Sequence, residues 1–177
     1  MHIKYPNIFT FISEFKKEKI YSLDKNIAVI FRNYQKKHSR DDILKIKKFC
    51  KSNKKKFFLA NDIKLAAKLN LDGVYVPSFN NSLSIKKYNL KKNFLIIGSA
   101  HNLKEIRIKE KQGVKLIFLS PLFKTKDYKK SLGIIRFNLL SRLCKKKIIA
   151  LGGINKNNLK KLKIANAYGF SGISYFK

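Results

Sequence analysis

The chain has 177 residues, enough for one domain with a sizeable core, and 41 Lys and Arg against 10 Asp and Glu give it a formal net charge of +31. Such a charge ordinarily suggests nucleic-acid binding. Here only five of the cations are Arg, and the Lys residues are spread over all the predicted helices and loops instead of forming one basic stripe. Because Lys, Asn, Ile and Phe are all abundant, compositional bias explains the charge better than a nucleic-acid partner does.

No apolar stretch is long enough to cross a bilayer, and the lysine-rich N-terminus lacks the continuous apolar segment of a signal peptide. We therefore expect a cytoplasmic protein without a membrane partner. Cys50 and Cys144 show no metal-ligand spacing. Two free thiols are expected rather than a disulfide or a zinc site.

Short apolar runs alternate with helix-like segments along nearly the whole chain, which is typical of a parallel sheet with crossover helices. The strand candidates are residues 8–12, 27–31, 56–60, 73–76, 94–98, 115–119, 147–151 and 169–173. Apolar residues at three- and four-residue spacing predict helices at 40–52, 63–70, 103–112, 139–145 and 157–165. Eight strands predict a (β/α)8 TIM barrel, with residues 1–177 as its single domain.

The predicted barrel is short, since barrels of this class usually take about 250 residues. Residues 13–25 leave room for only a short first helix, and residues 82–90 for a turn or two. The sequence also stops at Lys177, so we expect no eighth helix. The face beside strands eight and one would then be covered by the N-terminal segment, by a second copy in a homo-oligomer, or by nothing.

Two apolar runs near the end of the chain lead into glycine. Residues 148–151 are followed by Gly152-Gly153, and residues 169–171 by Gly172-Ile173-Ser174. Glycines after a buried strand let backbone N–H groups approach a ligand. Barrels of this class build a phosphate site from the loops after strands seven and eight. The two strand ends together therefore predict a phosphate site.

Functional side chains of such a barrel follow the strands, at the carboxyl end. Those positions carry Arg32 after strand two, Asn61 and Asp62 after strand three, Ser78 and Asn80 after strand four, Ser99 and His101 after strand five, and the basic loop 120–126 after strand six. Each has a structural alternative; Asp62, for example, suits the N-cap of the next helix. Their convergence on one rim favours a functional interpretation.

Several segments of the chain resemble motifs of one family in order and spacing. Residues 31–33 (Phe-Arg-Asn) are similar to Gln-Leu-Arg-Glu-Lys, residues 61–62 to Asn-Asp, residues 72–74 to Asp-Gly-Val-His, residues 99–102 to Ser-x-His-Asn, residues 120–126 to Gly-Pro-Ile-Phe-Pro-Thr-Lys, and residues 150–155 to Ala-Ile-Gly-Gly-Ile-Asn. These motifs resemble thiamine phosphate synthase and its thiazole tautomerase relatives. The resemblance extends from about residue 27 to residue 174, most of the chain.

The resemblance implies a transferase of thiamine biosynthesis, which joins a hydroxymethylpyrimidine diphosphate to a thiazole phosphate and releases diphosphate. It implies two catalytic residues, His101 and Arg32, and a Mg²⁺ held by Asp62. Arg32, with Thr125, Lys126 and Lys129 of the loop after strand six, would hold the leaving diphosphate. Asn61 and Ser99 would bind the pyrimidine, and the thiazole phosphate would lie on Gly152, Gly153, Ile173 and Ser174.

The chain departs from the family pattern at several of these positions. Ile30 and Tyr34 stand where the family has Gln and Lys, and Tyr128 stands near an expected diphosphate-binding Lys. Residues 77–80, Pro-Ser-Phe-Asn, replace Gly-Gln-x-Asp, so Asn80 puts a neutral amide where a second metal carboxylate is expected. Two alternatives stay open: a tautomerase-like relative without metal dependence, for which the proton-transferring imidazole of His101 is suited, and a non-catalytic barrel that binds phosphate or polyanions.

Overall fold

Eight parallel strands close into a barrel in the order of the chain. The computed structural model describes residues 5–34, 39–125 and 130–172. The strands are β1 (Ile8–Ile12), β2 (Ile27–Phe31), β3 (Phe57–Ala60), β4 (Gly73–Val76), β5 (Leu95–Ala100), β6 (Leu116–Leu119), β7 (Lys147–Leu151) and β8 (Gly169–Ser171). Ile8 pairs with Phe170 and Phe9 with Ser171, which closes the sheet between β1 and β8. The predicted TIM barrel is confirmed.

Helices connect the strands on the outside of the barrel. They are α1 (Lys17–Tyr21), α2 (Arg40–Ser52), α3 (Ile63–Lys68), α4 (Leu103–Lys111) and α5 (Gly133–Leu143), with 3-10 helices at Leu83–Lys87 and Lys156–Ile164. Short polar side chains cap several of them: Ser39, Asp62 and Asn102 each accept a hydrogen bond from a first-turn N–H of α2, α3 and α4. These caps fix where α2, α3 and α4 begin, at the carboxyl end of the barrel.

Two helix predictions need correction. Helix α5 begins at Gly133, six residues before the predicted 139, because Ile134 and Phe137 already pack against the barrel. The sequence prediction missed this start because a glycine usually indicates a turn. Gly133 indeed has a left-handed φ of +65°. The segment predicted as a helix at 157–165 is a 3-10 helix, Lys156–Ile164, with no buried residue. Residues 173–177 lie outside the described ranges, so the missing eighth helix stays a prediction.

Aromatic rings fill the inside of the barrel. Phe9 and Phe118 meet edge to face with ring centroids 4.9 Å apart, and Tyr75 meets Phe11 and Phe118 at 5.2 and 5.5 Å. Phe9, Phe118 and Tyr75 are buried with relative exposures of 2% or less. Edge-to-face pairs add to the free energy of burial. These rings fill the barrel interior below the carboxyl ends of the strands, where the polar side chains lie.

Larger apolar clusters lie between the strands and the helices. One includes Ile43 and Ile46 of α2, and another includes Ile106 of α4 and Phe137 of α5. Cys50 and Cys144 are free thiols, as expected, and burial raises the pKa of Cys50 to about 12. No helix in residues 5–34, 39–125 and 130–172 has both the length and the apolar character needed to cross a membrane.

A charged side chain is also buried in this layer. Lys109 of α4 has no exposed surface. Its stem lies over Gly98 of β5, where a Cβ atom would come within 3.1 Å of Lys109 Cδ. Burial lowers the pKa of Lys109 to about 8, although the Glu105 carboxylate opposes the change. Burial disfavours the ammonium form because an apolar surrounding solvates charge poorly.

The buried lysine predicts a pH dependence of stability. Its pKa is about 8 in the folded protein and 10.5 ordinarily, so between these values the unfolded chain binds more protons than the folded chain. The free energy of unfolding should therefore rise with pH in this window. Relative to Lys109→Met, the wild type should gain about 2 kcal/mol between about pH 7.5 and about pH 9.5 in urea denaturation. An identical pH response of the two proteins would contradict this assignment.

Candidate active site

A cavity of about 800 Å³ opens at the carboxyl end of the barrel. This volume is in the range of small-molecule sites. Its walls come from the segments after β2, β4, β5, β6, β7 and β8, and include the ring of Tyr75 inside the barrel. The lining residues are Arg32, Tyr34, Tyr75, Pro77, Ser78, Phe79, Ser99, His101, Ser120, Pro121, Lys124, Thr125, Leu151, Gly152, Gly153, Ile154, Asn155, Ser171 and Gly172.

The cavity brings together many of the residues predicted from the sequence. Arg32, Ser99, His101, Thr125, Gly152 and Gly153 all line it. Asn61 and Asp62 follow β3 at the same rim but are not among the lining residues. Lys126, Lys129, Ile173 and Ser174 lie outside the described residues.

Arg32 brings a fixed cation to the β2 side of the cavity. Its guanidinium carbon lies 4.6 Å from the centroid of the Phe11 ring, an arrangement that attracts a cation to the face of an aromatic ring. Its backbone N–H donates to the carbonyl of Ile12 at 2.8 Å. A guanidinium can donate two parallel hydrogen bonds to a phosphate. This side of the cavity therefore suits an anion.

Two aromatic rings stand beside Arg32 at the mouth. Tyr34 and Phe79 meet edge to face with centroids 5.5 Å apart, and they are 50% and 62% exposed. The pKa of Tyr34 is raised well above its ordinary value, chiefly by burial, while Arg32 opposes the change. Tyr34 is therefore a neutral phenol at physiological pH. Exposed aromatic rings at a cavity mouth offer stacking surface to a planar ligand.

Tyr75 and Ser99 form a polar wall that the sequence interpretation covered only in part. Burial raises the pKa of Tyr75, and a hydrogen bond with Ser99 and the charge of Arg32 act in the opposite direction. Tyr75 therefore stays neutral and is able to donate or accept a hydrogen bond. The signal for Tyr75 was available, since alternate residues of β4 face the barrel interior and position 75 is the last inward one before the rim.

His101 is held by the loop after β6. Its Nδ1 lies 2.9 Å from the Ser120 carbonyl oxygen and 3.2 Å from Ser120 Oγ. Because a carbonyl oxygen can only accept, Nδ1 carries the proton, and in the neutral ring Nε2 is the basic nitrogen. The backbone N–H of His101 donates to Glu105 at 2.8 Å, which anchors the residue to the first turn of α4. The ring can therefore exchange a proton through Nε2.

The glycine loop after β7 lies against the loop after β6. Leu122 N donates to the Leu151 carbonyl at 2.8 Å, and Phe123 N donates to the Gly152 carbonyl at 3.1 Å. Gly152 and Gly153 have φ values of +97° and +68°. Asn155 caps the 3-10 helix that follows, and Asn158 Nδ2 donates to the Gly153 carbonyl at 2.7 Å. Gly152 and Gly153 thus lie between a fixed loop and a helix N-terminus, where phosphates commonly bind.

The residues present do not fit a resident Mg²⁺. Asp62 Oδ1 accepts from Leu65 N at 2.8 Å as the cap of α3. Asn80 Nδ2 donates to Asn61 Oδ1 at 2.7 Å, and Asn80 Oδ1 accepts from Ser82 N at 3.0 Å, so both amide oxygens already have a donor. Among the described residues, no group of three carboxylate, His or Cys side chains could hold a metal ion. A hard cation such as Mg²⁺ prefers carboxylate and phosphate oxygens. Asp62 alone, with one oxygen already used to cap α3, does not make a Mg²⁺ site.

The conformation of Gly153 leads to a stability prediction. A Cβ atom at Gly153 would lie 2.5 Å from the Lys124 carbonyl oxygen and 2.7 Å from that of Phe123. Gly113 also has a positive φ of +81°, but a Cβ there meets nothing within 4 Å. Gly113→Ala should therefore cost about 1 to 2 kcal/mol for the left-handed backbone alone, and Gly153→Ala at least about 2 kcal/mol more because of the clash.

Urea denaturation of the two variants measures this difference, and equal losses would show that the β6 loop yields to the new side chain. A larger residue such as Asp at Gly153 meets the same carbonyl groups. A weaker phosphate affinity in such a variant would therefore report on the loop as much as on the phosphate contact.

The relatives of the chain match it over much of its length. A family model described as thiamine monophosphate synthase matches residues 22–176. A thiamine-phosphate synthase of Pelagibacter ubique is 33% identical over 137 residues, 73% of this chain and 63% of that protein. A thiamine-phosphate synthase of Prochlorococcus marinus is 31% identical over 116 residues, 64% of this chain and 34% of that protein. The chain thus spans less than two thirds of the length of either relative.

The fold has a counterpart among solved structures. A thiamine phosphate pyrophosphorylase from Pyrococcus furiosus superposes with a TM-score of 0.75 and 19% identity, over 96% of this chain and 86% of that one. At that identity the likeness concerns the fold alone. The family model, by contrast, matches the sequence over most of the barrel, from before β2 to beyond β8. The chain therefore belongs to the thiamine monophosphate synthase family.

Proposed function

We propose that this protein is a thiamine phosphate synthase, which joins a hydroxymethylpyrimidine diphosphate to a thiazole phosphate in the cavity at the carboxyl end of the barrel. One observation carries the proposal. The same cavity is lined by the cation Arg32 after β2 and by the glycine loop 152–153 after β7, so it offers two separate places for phosphate groups. A reaction between two phosphorylated substrates needs both places.

The proposed reaction breaks the bond between the pyrimidine methylene carbon and the diphosphate oxygen, and forms a bond from that carbon to the thiazole nitrogen. The departing diphosphate takes the electron pair of the broken bond, so negative charge increases on it as the bond stretches. Arg32 would stabilise this charge, together with Lys124 and Thr125 of the β6 loop, which line the same cavity. Preorganised cations and donors facing a developing anion are commonly the largest contribution to catalysis.

The polar wall and the mouth have separate roles in this proposal. Ser99 would bind the pyrimidine from within the cavity, beside Tyr75, with which it shares a hydrogen bond. Asn61 would act from the rim, where it is held by Asn80. The rings of Tyr34 and Phe79 would cover the planar substrate and exclude water from the carbon that reacts. Gly152 and Gly153 would hold the thiazole phosphate through backbone N–H groups.

Free thiols suit the reducing environment of the cytoplasm, and both cysteines are free. We therefore also propose a cytoplasmic location, with small phosphorylated molecules as the partners of the cavity.

The direct test is formation of thiamine phosphate from the two precursors by the purified protein with Mg²⁺ present. Wild type should form the product, and Arg32→Met should lower kcat/KM by about a hundredfold or more, since the guanidinium is lost where the diphosphate leaves. Arg142→Met removes the same charge from the exposed surface of α5 and serves as the control with unchanged activity. Absence of product with wild type would refute the proposal.

The position of His101 favours one second candidate, a thiazole tautomerase. The Ser120 carbonyl fixes the ring with Nε2 as its basic nitrogen, as proton transfer on a thiazole requires. His101→Ala should then reduce tautomerisation by about a hundredfold or more, and product formation in the coupling assay by much less. A strong tautomerase activity without any coupling activity would establish the second candidate in place of the first.

We propose that Mg²⁺, where it is used, enters the site with the substrate diphosphate, which supplies the oxygens that the described residues lack. Free protein should then bind Mg²⁺ only weakly in isothermal titration. Asn80→Asp adds a carboxylate at the rim beside Asn61 and should raise the affinity about tenfold or more. Asn26→Asp, exposed before β2, adds the same charge elsewhere and should not. Equal affinity of both variants and wild type would place the cation away from this rim.

A further inference from the structure

The loop after β4, residues 77–82, forms one wall of the cavity through Pro77, Ser78 and Phe79. Within the loop, Asn80 N donates to the Pro77 carbonyl at 3.1 Å, a local bond that shapes the turn. In the described part of the chain, side chains tie the loop to other elements through hydrogen bonds. Asn61 binds Asn80 from the β3 side, and Lys109 and Gln112 bind it from the α4 side. Few groups therefore hold this wall through hydrogen bonds, in addition to the ring contact between Phe79 and Tyr34.

Lys109 and Gln112 make four hydrogen bonds below the loop. Lys109 Nζ donates to the Asn80 carbonyl at 2.7 Å and to Gln112 Oε1 at 3.0 Å. Gln112 Nε2 donates to the carbonyls of Asn80 at 2.8 Å and of Ser82 at 2.9 Å. Both side chains have 0% exposure. The two residues thus satisfy each other and two loop carbonyls away from solvent.

The barrel makes room for this arrangement. Gly98 of β5 leaves the space beside its backbone that the Lys109 stem occupies. Lys and Gln are seldom fully buried, and an apolar residue at position 109 would avoid the desolvation of an ammonium group. Such a residue would leave the Asn80 carbonyl with one donor fewer. The buried pair therefore fixes the loop in a way that packing alone does not.

The same pair is linked to the neighbouring strand end. Asn80 accepts through its backbone carbonyl from Lys109, and donates through its side chain to Asn61 after β3. The hydrogen bonds run without a break from α4 through the β4 loop to the β3 rim. Neither Lys109 nor Gln112 is among the residues that line the cavity. The hydrogen bonds of the pair therefore reach the cavity wall through the loop.

We propose that Lys109 and Gln112 are positioning residues that clamp the β4 loop against the cavity. The clamp thereby sets the affinity for the substrate held on the β3 and β4 side. Under the proposed function, on which this identification rests, that substrate is the pyrimidine diphosphate. The wall formed by the glycine loop after β7 has its own hydrogen bonds to the β6 loop. The clamp therefore acts on one substrate and not on the other.

Hydrogen exchange measured by mass spectrometry tests the clamp without any substrate. In Lys109→Met, amides of a peptide covering residues 77–82 should exchange about tenfold faster or more, whereas a peptide covering residues 151–155 should be unchanged. Lys111→Met makes the same substitution at an exposed position of α4 and should leave both peptides unchanged. Gln112→Glu keeps the size and the acceptor for Lys109 but removes both donors to the loop, and should also speed exchange in residues 77–82. Unchanged exchange in this peptide in both clamp variants would overturn the proposal.

Steady-state kinetics test the consequence for the substrates. The two clamp variants should raise KM for the pyrimidine diphosphate about tenfold, with KM for the thiazole phosphate unchanged. An equal change in both constants, or a change in stability without any change in KM, would mean a purely structural pair and would overturn the assignment. Absence of product with wild type would refute the proposed function and the named substrate, while the exchange experiment would still decide whether the clamp exists.

Discussion

Closure of the barrel between β1 and β8 is the constraint on which the site depends. Ile8 and Phe9 pair with Phe170 and Ser171, and Ser171 Oγ donates to the Phe9 carbonyl at 2.9 Å inside the joint. Closure brings the carboxyl ends of all eight strands to one rim. Arg32 after β2 and Gly152 after β7 are distant in sequence but line one cavity for this reason. An open sheet of the same strands would leave Arg32 and Gly152 apart.

The net charge of the protein and the fixed groups of its cavity act on anions in different ways. The net charge of +31 surrounds the whole chain with a field that attracts anions and does not select among them. Selection requires fixed groups, and the cavity has them in Arg32 against Phe11 and in the glycine loop held by the β6 loop. The excess of lysine therefore attracts anions in general, and selection among them depends on the fixed groups of the rim.

Much of the fold was predictable because strand and helix signals agree with barrel geometry. Strands β1, β2, β4 and β7 have the predicted bounds, since each is a short apolar run between polar segments. Helix α5 was predicted too short because its first turn starts at a glycine, and only the packing of Ile134 and Phe137 shows that the turn belongs to the helix. Local pattern cannot supply contacts of that kind.

The site was predictable where strand ends carry functional side chains, and less so where contacts between loops matter. Arg32, Ser99 and His101 could be placed on the rim from strand position alone. The Asn80–Asn61 bond and the buried Lys109 and Gln112 could not, because in the sequence they are ordinary polar residues of a loop and a helix. Asn61 lies 19 positions from Asn80, and the loop partners of Lys109 and Gln112 lie 29 to 32 positions away. They become neighbours only in the barrel, a separation that periodicity does not reveal.

A crystal structure of the protein with thiamine phosphate and inorganic diphosphate tests the central claim most directly. The claim is that one cavity binds two phosphate groups, one beside Arg32 and one at the glycine loop after β7. It predicts the phosphate of thiamine phosphate within hydrogen-bond distance of the backbone N–H groups near Gly152 and Gly153, and the diphosphate beside Arg32. Anions bound only to surface lysines, with the cavity empty of both, would contradict the claim.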